Sequence, residues 1–172
     1  MENIIRAAVK DVPDFPKEGI IFKDITPVLK DPDIFGGLID YMYERYKDKK
    51  IDSVVCVESR GFIIGSPLAY KLKVPLVPVR KPGKLPRETY REEYRLEYGN
   101  DALEIHRDSL EKGARIVLID DLLATGGTVS AASRLMHKFD AVIEEIFFII
   151  ELDFLKGREK LEGHSIHSVV HY

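Results

Sequence analysis

Two adjacent carboxylates and a turn of small residues carry the strongest chemical signal in this chain. Asp120 and Asp121 follow the apolar run Ile116–Ile119, and the turn leads into a helical pattern. Backbone amides at a helix start bind phosphate, and the two acids can accept hydrogen bonds from vicinal hydroxyls. The segment therefore predicts a sugar-phosphate site, with the aspartates on the ribose. The predicted 5-phosphate ligands are Ala124, Thr125, Gly126, Gly127 and Thr128.

The same segment is compatible with an ordinary strand-to-helix connection in which aspartates act as turn formers. The order of all thirteen residues from Ile116 to Thr128 favours the phosphate site over that alternative. The turn has neither the Gly-Lys-Ser/Thr ending of a P-loop nor the three spaced glycines of a Rossmann fingerprint. The sequence thus excludes both of these nucleotide-binding motifs at this turn.

A second anion site is predicted where the apolar pattern Ser53–Val57 ends. The turn Glu58–Gly61 follows that pattern and precedes a helical one. Its backbone amides and the Arg60 guanidinium would lie at the carboxyl edge of the sheet, where Asp120 and Asp121 also lie. Two anion sites at one edge suit a substrate with two phosphate groups.

The segment from Arg80 to Ala102 interrupts the rhythm of strands and helices with residues rich in Pro, Gly, Arg and Glu. Such a stretch is uncommon in a compact domain unless it is a lid, and alternation over 90–97 and 103–106 predicts a hairpin. Basic residues at its base suit a pyrophosphate, although nearby glutamates leave a solvated charged loop as the alternative. The basic residues are Arg80, Lys81, Lys84 and Arg87, and the glutamates are Glu88, Glu92 and Glu93.

The segment Ile20–Asp24 contains an aromatic residue with two interpretations. Phe22 could stack on a purine while flanking backbone amides read the Watson–Crick edge of the base. By residue type alone, however, a Phe in an isoleucine-rich segment is more typical of a core. The residues by themselves leave both interpretations open.

The elements that would position these residues alternate between strand and helix, which predicts an α/β fold with a doubly wound, mainly parallel sheet flanked by helices. Periodicity predicts the type of each element. Predicted helices are 3–9, 32–46, 62–72 and 129–139, with a helical turn at 156–161. Predicted strands are 53–57, 76–79, 116–119 and 143–150, with an edge strand at 166–170 and a short extended piece at 20–22.

Composition narrows the function classes without selecting one. A chain of 172 residues fits a single domain over residues 1–172, and a net charge of −3 gives no basic surplus for nucleic acid. Cys56 is the one cysteine and lies in an apolar strand pattern, which favours a buried small hydrophobe and a reducing compartment. Neither a signal peptide nor a membrane span is recognisable. We therefore expect a cytoplasmic protein without nucleic-acid or membrane partners.

Residues 117–128 resemble the phosphoribosyl pyrophosphate signature of the type I phosphoribosyltransferase family, and Leu122–Ala124 resembles the form found in its adenine-specific branch. Four further segments resemble that branch in its own order and extend the resemblance over nearly the whole chain. They are residues 15–25 (FPKEGIIFKDI), 58–62 (ESRGF), 80–86 (RKPGKLP) and 96–99 (LEYG). The chain is thus identified as a member of this branch.

The resemblance implies the type I phosphoribosyltransferase fold, with a small N-terminal hood that binds the base at residues 1–30 and a flexible hairpin lid at 80–102. It implies a pentosyltransferase that converts adenine and phosphoribosyl pyrophosphate to AMP and pyrophosphate in purine salvage. It also implies a homodimer and Mg²⁺ as cofactor, held mainly by substrate and water, so that no dedicated metal motif is expected. Ile4, Ile5 and Val9 are compatible with a subunit contact and with the core.

Residue roles follow from the same resemblance. Glu97 is the candidate for the proton near adenine N7 or N9, Tyr98 covers the site, and Arg60 is the third catalytic residue. Adenine is expected to contact Phe22 and main-chain groups of Ile21 and Lys23. The resemblance also implies that one peptide bond of the turn at Glu58 is not trans. Its pyrophosphate ligands are Glu58, Ser59, Arg60, Arg80, Lys81 and Lys84, while Pro82 stands where some members carry a third basic residue.

Two other functions are kept open. Some proteins of this fold are regulators that bind phosphoribosyl pyrophosphate without turnover, but they usually carry a nucleic-acid-binding domain for which this chain has no room. The retained Glu97 and Tyr98 also favour turnover. An enzyme for a 6-oxopurine would be expected to place a Lys or Arg against the oxo group.

The histidines do not predict a metal site. His164, His167 and His171 have helical spacing, but Ile166–Val170 indicates a terminal strand on which they would not share one face. Zinc binding is therefore not expected.

Overall fold

The computed structural model describes residues 1–96 and 99–172. Glu97 and Tyr98, both predicted to be catalytic, lie outside the described residues. In chain order the elements are α1 (Glu2–Ala8), β1 (Lys10–Pro13), β2 (Ile21–Asp24), α2 (Thr26–Lys30), α3 (Pro32–Tyr46), β3 (Ser53–Val57), α4 (Arg60–Leu72), β4 (Leu76–Val79), β5 (Thr89–Leu96), β6 (Gly99–His106), β7 (Arg115–Ile119), β8 (Leu122–Leu123), α5 (Gly127–His137), β9 (Val142–Glu151), two 3-10 turns (Asp153–Leu155 and Gly157–Leu161) and β10 (Ile166–His171).

A parallel sheet in the order β10-β9-β7-β3-β4 forms the centre of the molecule, and the two-residue strand β8 pairs with β9. The central strands are apolar on both faces, as expected of strands covered by helices on each side. Along β3, Val54 and Cys56 pack toward α3 and α4, whereas Val55 and Val57 pack toward α5. The predicted doubly wound fold is confirmed.

The winding changes direction between two neighbouring strands. From β3 the chain crosses by α4 to β4 on one side, while from β7 it crosses by α5 to β9 on the other. Ligands of open α/β sheets bind in the crevice that such a switch leaves at the carboxyl ends of the strands. The turn after β3 holds Glu58–Gly61, and the turn after β7 holds Asp120 and Asp121.

The connection from β4 to β7 contains an antiparallel hairpin, β5 paired with β6, as the alternation predicted. Its inner face joins the core beside α5, because Tyr94, Leu103 and Ile105 are buried there. The Tyr90 ring meets Phe139 edge-on, with their centroids 5.4 Å apart. The base of the hairpin is therefore held by packing against α5.

Four elements were not predicted, among them the 3-10 turn Asp153–Leu155. The strand β1 is exposed at all four positions, so it carries no hydrophobic alternation, and it forms a hairpin with β2. Helix α2 and strand β8 span five and two residues, too short for a periodic pattern. Among the described helices, none has both the length and the apolar character needed to cross a bilayer.

Candidate active site

The predicted phosphate turn precedes α5 and is shaped by two glycines that touch. Gly126 has a φ of 76°, which favours glycine, and it caps α5 at its N-terminus. A Cβ at Gly126 would lie 2.4 Å from the carbonyl oxygen of Gly157, and one at Gly157 would lie 2.2 Å from that of Ala124. The turn surrounds a cavity of about 70 Å³, which Asp120 also lines. Its geometry matches an anion cradle at a helix start.

The two aspartates lie in different surroundings. Asp121 is buried, and its Oδ2 accepts a hydrogen bond of 2.5 Å from the Arg60 Nε. Asp120 accepts from the backbone amide of Asp121 at 2.9 Å and has no ion pair among the described residues. Burial, and then the neighbouring charge of Asp121, raise the pKa of Asp120 well above its usual range. Asp120 is thus a carboxyl group that lacks a cationic partner and faces the cleft.

The second predicted turn packs directly on the end of β7. A Cβ at Gly61 would lie 2.8 Å from the Ile119 carbonyl oxygen, so only glycine allows this approach. The contact brings Arg60, the first residue of α4, beside Asp121. The Glu58–Ser59 peptide bond is cis, as the resemblance implied.

The cations predicted for pyrophosphate already have carboxylate partners. Glu58 accepts from Arg80 Nε at 2.9 Å and from Lys84 Nζ at 3.1 Å. Burial raises the pKa of Glu58, but the bonds from these cations outweigh burial and hold it below its usual range. Lys81 forms its ion pair with Asp101 of β6. The predicted cation cluster is therefore present, and its charges are balanced within the cleft.

The acids that balance this cluster are not those that the sequence suggested. Glu92 bonds to Arg134 and Lys138 on and beyond α5, and Glu88 pairs with Arg107. Arg87 pairs with Asp108, so it does not join the other three basic residues. Arg91 pairs with Glu93 within the segment, and both side chains are exposed, so the alternative of a solvated charged loop fits this pair. It does not fit Arg80 and Lys84, which bond to Glu58 outside the segment.

A larger cavity of about 290 Å³ connects the two predicted anion-binding turns, Glu58–Gly61 and the phosphate turn before α5, which are called the anion turns below. It shares Asp120, Leu122 and Thr128 with the cavity of the phosphate turn. Tyr94 also lines it, and its hydroxyl donates to Asp101 at 3.1 Å and interacts with the side chain of Thr128. Tyr94 and Asp101 were missed, although the inward alternation of β5 marks Tyr94. The remaining lining residues are Glu58, Ser59, Arg60, Lys81 and Asp121.

The predicted base-binding segment lies beside this cleft. Phe22 is half-buried, which is not the position of a core residue, and the Arg60 guanidinium carbon lies 5.8 Å from its ring centroid. Phe15 packs edge-on against the Phe22 ring, at 5.2 Å between centroids. Lys23 turns its side chain to Asp11, 2.6 Å away, and to the Tyr172 ring. Any contact of Lys23 with a base would therefore come from its main chain.

The two histidines of β10 have different hydrogen-bond partners. His167 and His171 share one face of β10, and His164 lies before that strand. His167 bonds to Tyr41 and His171 to Asp153. Among the described residues, Glu151, Asp153 and His171 form a group with metal-ligand spacing. Both oxygens of Glu151 already accept from Arg158, so this group is a closed structural cluster.

Comparison with known proteins defines the class and then the family. Residues 25–165 match the model of the phosphoribosyl transferase domain. Over 164 residues, 95% of each chain, the sequence is 56% identical to an adenine phosphoribosyltransferase of Roseiflexus castenholzii. The chain belongs to the adenine phosphoribosyltransferase family.

Solved structures of this family have the same fold. The enzyme of Thermoanaerobacter pseudethanolicus is 49% identical, with a TM-score of 0.95 and complete coverage of both chains. The Saccharomyces cerevisiae enzyme, complexed with D-2,5-dideoxy-2,5-imino-altritol 1,6-bisphosphate and adenine, is 41% identical. Its TM-score is 0.92, covering 98% of this chain and 97% of that one. The type I phosphoribosyltransferase fold inferred from sequence is thus confirmed.

Proposed function

We propose that this cleft transfers the phosphoribosyl group of phosphoribosyl pyrophosphate to N9 of adenine, forming AMP and releasing pyrophosphate. One observation carries the proposal: the two anion turns open into joined cavities that share Asp120, Leu122 and Thr128. A substrate with a phosphate at one end and a pyrophosphate at the other fits these two joined cavities. The carboxylates between them match a ribose.

The residue roles follow the order of groups along the cleft. The amides and hydroxyls of Ala124–Thr128 hold the 5-phosphate, and Asp120 and Asp121 accept hydrogen bonds from the ribose hydroxyls. Arg80, Lys81 and Lys84 neutralise the leaving pyrophosphate, with Ser59 and Glu58 shaping the turn that receives it. Because the transferred centre develops positive charge, a fixed ribose and a stabilised leaving group lower the barrier.

Adenine is placed against Phe22, opposite the Arg60 guanidinium. Arg60 contacts both Phe22 and Asp121, so it links the base and ribose parts of the cleft. Main-chain groups of Ile21 and Lys23 would read the base. We assign the purine proton to Glu97, with Tyr98 covering the site, by family resemblance.

Mg²⁺ fits this donor set as an ion carried by the substrate. Asp120 offers a carboxyl group without a cationic partner among the described residues, whereas Glu58 and Asp121 are already bonded to cations. Such an ion, when bound, would neutralise pyrophosphate oxygens and orient them toward the ribose. The protein side chains would then hold the ribose and the turn that receives the leaving group.

The remaining proposals concern assembly and location. We assign the covering of the site to the segment 80–102, by family resemblance. We also propose a homodimer through the outward face of α4, where Ile63 and Tyr70 are 46% and 85% exposed. Ile5 is fully buried and belongs to the core.

A cytoplasmic location is supported by Cys56, which is buried and free.

The test incubates the protein with labelled phosphoribosyl pyrophosphate, Mg²⁺ and, separately, adenine, hypoxanthine, xanthine and guanine. AMP formation is expected to exceed formation of each other nucleotide. A preference for a 6-oxopurine, or binding of phosphoribosyl pyrophosphate without product from any base, would contradict the proposal. The first outcome is disfavoured because Lys23 and Arg60 are engaged with Asp11 and Asp121.

A further inference from the structure

The carboxylates that neutralise the pyrophosphate cations differ in where they are attached. Glu58 directly follows β3 and Asp121 lies two residues beyond the end of β7, and the side chains of both are less than 10% exposed. Asp101, the partner of Lys81, lies instead on strand β6 of the hairpin and is 19% exposed. Among the described ion pairs of this cleft, only Lys81–Asp101 joins a predicted pyrophosphate cation to the hairpin. The backbone of Arg80 also bonds to that of Glu104 on β6, at 2.9 and 2.7 Å.

The bonding of Asp101 holds its carboxylate in place for Lys81. One oxygen accepts from Lys81 and from the Tyr94 hydroxyl, and the other accepts from the Ala102 amide at 2.8 Å. Burial raises the pKa of Asp101, but these bonds outweigh burial and lower it below its usual range. The same ion pair raises the pKa of Lys81. Asp101 is therefore ionised at neutral pH and masks the charge of Lys81.

We propose that Asp101 is a positioning residue that competes with pyrophosphate for Lys81. This inference rests on the proposed function, in which Lys81 binds the leaving group. A pyrophosphate oxygen replaces the Asp101 carboxylate on Lys81 when substrate binds, and Asp101 takes Lys81 back when pyrophosphate leaves. The exchange weakens pyrophosphate binding and promotes its release.

Lys81 suits such an exchange better than the neighbouring cations. Arg80 and Lys84 share the buried Glu58 at the end of β3, so their partner remains fixed in the sheet. Lys81 is 45% exposed and is a flexible point charge, and its partner stands on a hairpin that faces the cleft. Removing the Asp101 charge should leave Lys81 free for pyrophosphate before it binds.

The experiment measures pyrophosphate binding by calorimetry in the presence of Mg²⁺ for the wild type and for Asp101→Asn. The variant preserves side-chain shape and should bind pyrophosphate about two- to fivefold more tightly, the range expected for one partly exposed ion pair. The constant for product inhibition by pyrophosphate should fall by a similar factor. Tyr94→Phe is the matched control, because it removes a bond to Asp101 but retains the charge, and it should not tighten binding.

A double-mutant cycle with Lys81→Met tests whether Asp101 affects pyrophosphate binding through Lys81. In that background Asp101→Asn should change pyrophosphate affinity less than about twofold, because the charge that Asp101 masks is gone. Asp101→Ala serves as a second variant that removes the same charge. Unchanged or weaker binding in both Asp101 variants would overturn the proposal, as would unfolding of both, which would assign Asp101 a structural role.

Failure of this inference is distinguishable from failure of the proposed function. Pyrophosphate binding is measured without adenine, so it does not depend on AMP formation. A wild type that forms AMP, with Asp101 variants that do not tighten pyrophosphate binding, contradicts the exchange alone. A wild type that forms no AMP contradicts the proposed function.

Discussion

Asp120 directly follows β7 and Glu145 lies on the neighbouring strand β9, yet their surroundings shift their pKa values in opposite directions. Glu145 on β9 is buried and accepts two hydrogen bonds from Arg45, at 2.5 and 2.7 Å, and one from the Tyr46 hydroxyl. Burial raises the pKa of Glu145, but these bonds outweigh burial and lower it. Asp120, beyond the end of β7, keeps a raised pKa because no such cation is bonded to it among the described residues.

The difference separates a structural carboxylate from one available to a ligand. The hydrogen-bond partners of Glu145 come from α3 and from the loop before β10, so its charge joins elements that are distant in sequence. Asp120 instead retains acceptor capacity toward a cavity. Strong pKa perturbation without a compensating cation is typical of functional sites, whereas a satisfied ion pair is typical of a scaffold. The sheet thus carries a cation-bonded carboxylate, Glu145, on β9 and, at the switch point, the carboxyl group of Asp120 without a bonded cation among the described residues.

The largest effect should come from Glu145→Gln. The substitution leaves the Arg45 guanidinium without its carboxylate, and loss of one partner of a buried pair costs about 3 kcal/mol, the lower end of the range because Arg45 is partly exposed. Urea unfolding should show this loss. The kcat of the folded fraction should stay within about twofold of wild type. A large fall in kcat with unchanged stability would remove the distinction between the two carboxylates.

For Asp120→Asn we expect the reverse, a loss of activity without a loss of stability. A charge-assisted hydrogen bond to a ribose hydroxyl contributes about 1.5 to 3 kcal/mol, so kcat/KM for phosphoribosyl pyrophosphate should fall about 10- to 150-fold. Stability in urea should be unchanged or slightly higher, because a buried charge has been removed. A destabilised variant with normal kcat/KM would show that Asp120 belongs to the scaffold.

The pH dependence of unfolding should differ in sign between these two groups. Because the folded-state pKa of Asp120 is raised, its contribution to stability is greatest at low pH and falls as pH rises toward that pKa. The contribution of Glu145 is present above the usual carboxyl pKa and is lost as pH falls through its lowered pKa. Between about pH 4 and 8, the stability of Asp120→Asn relative to wild type should rise with pH. The deficit of Glu145→Gln should shrink toward low pH, and parallel curves for the two variants would refute both assignments.

The smallest effect is expected for Lys23→Met. The Lys23 side chain points to Asp11 and Tyr172, so a base can be read only by its main chain. KM for adenine should change less than about twofold, and stability by less than about 1 kcal/mol because Asp11 is exposed. A tenfold rise in KM for adenine would place the ammonium group in the base site. Phe22→Ala, which removes the proposed stacking surface, is the matched comparison and should raise that KM.

The fold was predictable where hydrophobic periodicity is strong. Helix α3 and strands β3 and β4 have the predicted bounds, because each is a long amphipathic or continuous apolar segment. The predicted helix after β3 begins two residues earlier than expected, at Arg60. That shift matters because it places Arg60 in the first turn of α4, beside Asp121.

The site was predictable in its anion turns but not in its charge balance. Segment composition predicted the phosphate turn and the cations, since glycines and basic residues are local signals. The pairing of Lys81 with Asp101 and the packing of Gly126 on Gly157 join residues distant in sequence, and no local pattern marks them. These contacts depend on how the hairpin and the 3-10 turn pack on α5, which is a property of the tertiary structure.

The most direct test of the central claim is a crystal structure of the protein with AMP. The ribose hydroxyls should lie within hydrogen-bond distance of Asp120 and Asp121, with the phosphate on the turn Ala124–Thr128 and adenine against Phe22. AMP bound elsewhere, for example with its phosphate on Arg134 and Lys160 in the neighbouring cavity, would contradict the assignment of this cleft as the active site.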